Sequence, residues 1–406
     1  MIATDTALTR QKTNWASVIV ILSAGIVAAA YLGKLPPALP LVTGELALSL
    51  QVAGLIISAF SMVGAIAAML TGVMIDLIGA RRSIVVGLIL LAAGGIFGAL
   101  AGNVYEFALS RLVEGVGFIL VVVAAPSLIA RTTTGPKQRF AYGLWGIHMG
   151  IGTSVIIVAS WPILEAVGWR SLWMGSAFVA LLVLAVAIEI LPKDPPRPTG
   201  GPWTHGASRT LLRAGPWLLM TLFAAYTAMW FSLLTWLPSF LVENNRSSIG
   251  VAALLTAAVI AANVPGNLLG GYLLHQNAPR GTLMLVGAAA MTVCQWIIFN
   301  ADFADMVRYF ACVGFSAVGG LLPPSIFSSA PIHAASPNHV GIVNGLAIQG
   351  SHLGQVIAPV LITYFVHLGG WQGAKPVMIV FGLAAILTSL AIIYGERGNA
   401  AAAPLP

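Results

Sequence analysis

Apolar stretches of about 20 residues, separated by short polar or Gly- and Pro-rich breaks, recur along the whole 406-residue chain. They centre on residues 15–35, 50–75, 83–102, 105–130, 139–164 and 171–191, and, after a polar interruption, on 215–241, 249–275, 281–300, 306–330, 339–367 and 373–394. A helix rises about 1.5 Å per residue, so each stretch can cross a hydrocarbon core of about 30 Å. The pattern predicts an all-α polytopic membrane protein with twelve transmembrane helices. The interruption, "PKDPPRPTGGPWTHGASRTLLR" at 192–213, combines Pro, Gly and charge and is expected to be neither helix nor membrane core.

The punctuation of the first six stretches returns in the second six. Trp15 stands 21 positions before Pro36 in "LPPAL", and Trp217 stands 21 before Pro238 in "LPSFL". "APSLI" at 125–129 matches "PPSIF" at 323–327, Gly143, Leu144 and Gly152 match Gly345, Leu346 and Gly354, and "GWR" at 168–170 matches "GWQ" at 370–372. The offset stays near 200 residues, so one six-helix unit is duplicated in parallel into two pseudo-symmetric bundles. The expected divisions are a tail at 1–14, bundles at 15–191 and 215–394, a loop at 192–214 and a tail at 395–406. Parallel repeats place a substrate site near the midplane, between bundles that rock about it.

Composition narrows the reading further. With 58% hydrophobic and 8% charged residues, the chain has more apolar surface than a soluble core can hide. The net charge of +7 is not a nucleic-acid face, because the basic residues do not cluster with interleaved aromatics. It follows membrane topology instead. One side collects Arg10, Lys12, Arg81, Arg82, Arg131, Lys137, Arg139, Lys193, Arg197, Arg209, Arg213, Arg280 and Arg397. The other keeps Lys34, Arg170, Arg246, Arg308 and Lys375, with Glu45, Glu106, Glu165, Glu243, Asp302 and Asp305. The positive-inside rule then places both ends in the cytoplasm and the protein in a plasma membrane, such as a bacterial inner membrane.

Other classes find no support. The polar N-terminus reads as a cytoplasmic tail, not a removable signal. Cys294 and Cys312 lie in apolar runs and imply neither a disulfide framework nor a metal site. There is no "GxSxG", "HExxH" or "GxxxxGK[ST]", so neither an enzyme nor an ATP-driven pump is expected, and no cofactor. The expected partners are a small-molecule substrate, the lipid bilayer and a coupling proton, with the protein a monomer.

The two six-helix halves, the basic central loop and the loop "GVMIDLIGARRS" at 72–83 resemble the major facilitator superfamily of secondary transporters over residues 14–395. That loop carries G-x-x-x-D-x-x-G-x-R-R through Gly72, Asp76, Gly79, Arg81 and Arg82, and "RLVEGVG" at 111–117 is similar to the superfamily's helix 4 signature. "PSLIAR" at 126–131, "GLW" at 143–145 and "WLPSFLVE" at 236–243 most resemble its cyanate-permease-like branch. That branch carries an Arg within helix 1, whereas this helix has only Lys34, near its outer end, which argues against cyanate itself.

The resemblance implies a conformational latch. Asp76 would meet the start of helix 11 when the cytoplasmic side is closed, favoured there by the helix dipole. "SPNHVG" offers that start, with Ser336 as cap and Pro337 in the first turn. Arg81 and Arg82 are read as orientation anchors, and a solvated turn is the plainer alternative for the whole loop. In the second copy, "GYLLHQNAPRG" at 271–281, Gly271 and Arg280 align with Gly72 and Arg81, but His275 replaces Asp76. Leu77 follows the Asp where a basic residue is usual, and helix 4 ends in Arg131 where an acid is often found, so no extended charge relay is expected.

Several intramembrane polar residues are candidates for the work itself. Arg111 and Glu114 lie one turn apart and can pair. Either Glu114 merely neutralises Arg111, or Arg111 attracts an anion and Glu114 couples protons. His148 on helix 5 and His352 on helix 11, with Gln349 and Gln355 beside the latter, fall two positions apart in the repeat alignment. They are either satisfied across helix interfaces or bind an anion or proton. Tyr226 and Trp230 share a face of helix 7 and either wall a cavity, with Tyr31 opposite, or belong to an interfacial belt. Asn263 and Asn267 read as interhelical glue, with Gly266, Gly270 and Gly271 allowing close approach.

Together these features imply a secondary transporter of a small anion or weak acid that works by alternating access with proton-coupled uptake. Proton-coupled efflux is the alternative, though helix 5 reads "GIHMGIGTSVIIVASWP" and not a "GPxxGG"-like run. A non-transporting sensor is the third reading.

Overall fold

The computed structural model describes residues 13–46, 50–195, 203–245 and 249–401. Arg10, Lys12, Arg197 and Arg246 lie outside the described residues, as do the side chains of Trp236, Glu243 and Arg397. The first half contains α1 (Trp15–Gly33), α2 (Leu35–Glu45), α3 (Leu50–Ile78), α4 (Ala80–Leu100), α5 (Val104–Thr132), α6 (Gly135–Gly146) and α7 (His148–Ile190). A short helix α8 (Trp203–Leu211) precedes the second half. That half contains α9 (Ala214–Asn245), α10 (Ile249–Ala261), α11 (Asn263–His275), α12 (Arg280–Ile298), α13 (Asp305–Gly319), α14 (Leu322–His333) and, after a 3-10 turn at Pro337–His339, α15 (Val340–Ala401).

Read as membrane crossings, the described helices give the twelve expected. The pairs α1 with α2, α6 with the start of α7, α10 with α11, and α13 with α14 are single crossings interrupted at Lys34, Ile147, Ala262 and Gly320–Leu321. Pro36 and Pro37, and Pro323 and Pro324, follow the first and last of these breaks, where the missing N–H and the ring clash prevent an unbroken helix. Conversely, α7 and α15 each hold two crossings, joined at Gly168 with φ 77° and at Gly370 with φ 61°. Positive φ is accessible to Gly at little cost. These are the glycines of the repeated "GWR" and "GWQ", so the duplication seen in the sequence is visible in the backbone.

The linker departs from expectation. It contains α8, because its Ala207 packs with Ile342 and Leu346 and its Thr210 hydroxyl accepts the Ala335 N–H at 3.1 Å. A helix this short is held by such tertiary packing and not by propensity.

Within the first half, α4 packs on α5 and α7, and α1 on α7; within the second, α9 and α12 pack on α15. The halves meet through α3 against α15 and α6 against α11. Both contacts bring backbone to backbone. A Cβ on Gly72 would lie 2.2 Å from the Gly341 carbonyl oxygen, and a Cβ on Gly271 would lie 2.6 Å from the Gly143 Cα. Gly72 and Gly271 are the aligned glycines of the two repeats, so one interface is made twice, related by the pseudo-twofold axis. Arg139 adds hydrogen bonds from α6 to the Leu274 carbonyl at 3.1 Å and Asn277 Oδ1 at 2.6 Å. These contacts close the end of the molecule that carries most of the Lys and Arg.

Candidate functional site

A cavity with about 650 Å³ of empty space, its mouth included, lies between the halves. The first half contributes Phe118, His148 and Met149, and the second Tyr226, Trp230 and His352 among others. Further aromatic wall comes from Phe223, Phe231 and Phe327, and neutral polar groups from Thr227, Asn263, Ser351 and Gln355. Among the described residues, no Lys, Arg, Asp or Glu lines it. Such a surface takes a ring or chain by apolar contact and orients a polar group by few, placed hydrogen bonds.

Those polar contacts centre on two imidazoles. His148 stacks on Trp145 with centroids 4.0 Å apart, and its Nδ1 lies 2.6 Å from the Trp145 carbonyl oxygen. A carbonyl only accepts, so in the neutral ring Nδ1 carries the hydrogen and Nε2 is an acceptor; the imidazolium would donate there instead. His352 stands edge-on to Phe118, centroids 5.7 Å apart. His148 Nε2, His352 Nδ1 and Trp230 Nε1 are buried and make no hydrogen bond within the described residues. Tyr226 Oη accepts from Asn263 Nδ2 at 3.4 Å, and Thr227 Oγ1 donates to the Ser351 carbonyl at 2.8 Å, tying α9 to α15.

Arg111, Glu114, Tyr31 and Gln349 do not line the cavity. Gln349 accepts the Met69 N–H at 3.3 Å, bridging α15 to α3. Arg111 and Glu114 do pair, but inside the first half and with a third member absent from the sequence expectation. Lys34 Nζ lies 2.8 Å from Glu114 Oε1, while Arg111 Nη1 donates to Glu114 Oε2 and, at 3.2 Å, to the Tyr31 carbonyl. Lys34 and Glu114 are 0% exposed and Arg111 1%, so Lys34 is a buried ion-pair partner and not a cation facing the outer surface. Its ammonium sits 3.7 Å from the Tyr31 ring centroid and 4.5 Å from that of Trp173, both favourable cation–π placements. Tyr31 therefore faces Lys34 and does not stand opposite Tyr226 and Trp230. Removing one partner of a buried ion pair costs about 3–5 kcal/mol, so the cluster also holds α1 to α5.

At the basic end, Asp76 Oδ1 accepts the Gly341 N–H at 2.9 Å and Oδ2 the Ile342 N–H at 3.0 Å. These are first-turn donors of α15 that have no partner within their own helix. The N-terminal dipole favours the carboxylate. Ser336 does not cap by its side chain as expected; its hydroxyl lies 2.7 Å from His339 Nδ1, and the cap comes from Asp76 in the other half. His275, the repeat's counterpart, instead lies edge-on to Phe140.

Asp194, at the start of the linker, organises the rest of the loop. Its two oxygens accept the backbone N–H groups of Arg81 at 3.1 Å and Arg82 at 3.0 Å, and Oδ1 pairs with Arg131 at 2.8 Å. Gly79, with φ 103°, leaves no room for a Cβ, which would fall 2.2 Å from Asp194 Cγ. Arg131 thus does meet an acid, supplied from outside helix 4. On the opposite end, Glu45 accepts from Trp169 Nε1 at 2.6 Å and pairs with Arg170 at 2.8 Å. Those hydrogen bonds, that of Trp169 first, hold the Glu45 carboxyl below the usual carboxylate range.

Sequence reasoning missed Phe118, Met149, Phe223 and Phe327 of the cavity wall, whose apolar side chains carry no signal of their own, and, among charged residues, Lys34 and Asp194. The signal for Lys34 was a cation 19 residues past Trp15, inside the apolar run of the first crossing. Asp194 carried none, because its partners are backbone groups 112 and 113 residues away.

Two pseudo-symmetric six-helix halves around a shared central cavity form the architecture of a membrane carrier. The chain belongs to the Major Facilitator Superfamily, whose model matches residues 17–348. It is similar to the probable sulfoacetate transporter SauU of Cupriavidus necator, 25% identical over 82% of this chain and 83% of that protein. It is also similar to the gentisate transporter of Corynebacterium glutamicum, 23% identical over 81% and 75%. Among solved structures it matches FucP in the outward conformation with a TM-score of 0.77 at 16% identity, covering 92% of this chain and 98% of that one.

Proposed function

We propose that this transporter imports a small organic acid anion together with a proton, by alternating access, with bodies at 15–191 and 215–394 rocking about the central cavity. One observation carries the reading. His148 and His352, one from each half, line one aromatic-walled cavity, and each has a buried ring nitrogen with no hydrogen-bond partner among the described residues. Imidazole can donate to a carboxylate or accept from its conjugate acid. The aromatic walls suit the organic remainder of such a molecule. The names of the similar sulfoacetate and gentisate transporters point to the same substrate class. The Lys34–Glu114–Arg111 cluster is the place for the proton, as a fully buried ionisable cluster apart from the cavity. Asp76 serves as the latch of the closed basic end, taken as cytoplasmic. Within the superfamily, the strings at 126–131, 143–145 and 236–243 favour the cyanate-permease-like branch.

A thermal-shift screen of the purified protein against small anions, gentisate and sulfoacetate among them, tests the reading. A bound anion raises the apparent melting temperature by mass action. The shift is expected in the wild type and lost in both His148→Ala and His352→Ala. A shift unchanged in both variants would remove the cavity from the account.

A further inference from the structure

We infer that Lys34, and not Glu114, is the group that takes up and releases the coupling proton, while Arg111 keeps Glu114 ionised throughout the cycle. The inference rests on the proton-coupled reading above and deepens it. Its basis is a charge count in a closed space. Lys34 and Arg111 share the single carboxylate of Glu114, one on each oxygen, and no other acid pairs with either among the described residues. With both cations charged, the buried cluster carries an excess of one positive charge, which an apolar surrounding disfavours. A guanidinium does not give up its proton in a protein, whereas an ammonium can. Protonating Glu114 instead would leave two buried cations without a counter-ion. The proton that can come and go is therefore on Lys34.

The pocket accommodates both forms. As ammonium, Lys34 lies on the faces of Tyr31 and Trp173; as amine, it can still donate a hydrogen bond to Glu114 at 2.8 Å. The charged and titratable groups facing it are Tyr31 from α1 and Glu114 and Arg111 from α5, while α7 contributes the uncharged Trp173. Glu114 is ten residues from Val104, the first residue of the 29-residue α5, or about 15 Å along a helix of about 43 Å. The cluster is thus nearer the end opposite the basic one, where an incoming proton would arrive.

The cluster also communicates with the cavity through packed rings. The Arg111 guanidinium carbon lies 4.8 Å from the Phe60 ring, Phe60 lies 5.0 Å from Phe118, and Phe118 lies 5.7 Å from the His352 ring. A monoanion entering a cavity lined by no Lys, Arg, Asp or Glu among the described residues brings one uncompensated negative charge. The excess positive charge of the protonated cluster offsets it, so one proton accompanies each monoanion.

Five lysines make the test tractable: the full-length protein in lipid nanodiscs, labelled at lysine Nζ, should give a Lys34 resonance identified by its loss in Lys34→Met. Lys34 is expected to interconvert between amine and ammonium with pH while the labelled Glu114 carboxyl stays ionised. A Lys34 that remains ammonium throughout, or a Glu114 that titrates in its place, overturns the inference. In proteoliposomes, with gentisate and sulfoacetate as probes, the stimulation of uptake by an inward pH gradient should disappear in Lys34→Arg, which cannot release its proton. Stimulation that survives in Lys34→Arg but vanishes in His148→Gln puts the proton on His148 and also overturns it. If the wild type moves neither probe with protons while Lys34 still titrates beside an ionised Glu114, the importer reading falls and the proton site stands.

Discussion

The latch at the basic end yields a prediction whose size follows from its geometry. Asp76→Ala removes two hydrogen bonds, at 2.9 and 3.0 Å, by which a carboxylate of one half caps a helix of the other. Charge-assisted bonds contribute about 1.5–3 kcal/mol each when fully buried, and a half-buried pair such as this one about 2–3 kcal/mol in total. Because both bonds span the halves, nearly all of that loss falls on the closed state. The closed-to-open ratio should drop about 30- to 160-fold, enough to turn a population of about 99:1 into a visible mixture. Asp76→Asn, which retains acceptor capacity at one position, should lie between. Spin labels on exposed Lys137 and Gln276, on opposite sides of the α6–α11 contact, would report the change as a second, longer distance in pulsed EPR after replacement of Cys294 and Cys312. A distance distribution in Asp76→Ala that matches the wild type would mean that these two interfacial bonds carry no conformational preference.

Other consequences are as direct. Gly72→Ala should open the same end and lengthen the same EPR distance, since its Cβ would meet backbone at 2.2 Å and overpacking costs about 1–3 kcal/mol. Asp194→Ala should lower the melting temperature of the purified protein, since loss of a helix cap costs about 0.5–2 kcal/mol; an unchanged melting curve would deny Asp194 its capping role. At the opposite end, the Glu45 carboxyl is held below its unfolded value of about 4.3. Its contribution to stability is therefore present above that value and lost as pH falls through the folded one. Glu45→Gln should destabilise slightly at pH 7, and the difference from wild type should shrink in acid; a difference that grows in acid would reverse the assignment.

Membrane architecture was legible because hydrophobic length and repeated punctuation are one-dimensional signals. Trp15 and Trp217, Pro36 and Pro238, and Gly168 and Gly370 align by counting alone, and the last pair proves to mark equivalent turns between crossings. The approach of Asp76 to the start of helix 11 was reachable because the loop resembles a familiar motif and "SPNHVG" reads as a helix start. The cavity was half legible: His148, His352, Tyr226 and Trp230 line it, but Arg111, Tyr31 and Gln349 do not. Spacing along one helix gives the face a residue shares with its neighbours, not which of several surrounding helices that face meets. Arg111 and Glu114 could be paired from an i,i+3 interval, whereas Lys34 reaches Glu114 across 80 residues. Burial reversed the meaning of that lysine, from a topological charge to a member of the ion-pair cluster.

An organic anion that enters with a proton through the His148–His352 cavity must acidify the compartment it enters. Proteoliposomes that enclose a pH-sensitive dye test it most directly, by recording the internal pH when gentisate or sulfoacetate is added outside. Internal acidification that requires protein is expected, abolished by His148→Ala and by His352→Ala. Acidification of equal rate in both variants, or internal alkalinisation with the anion as in exchange or efflux, would contradict it.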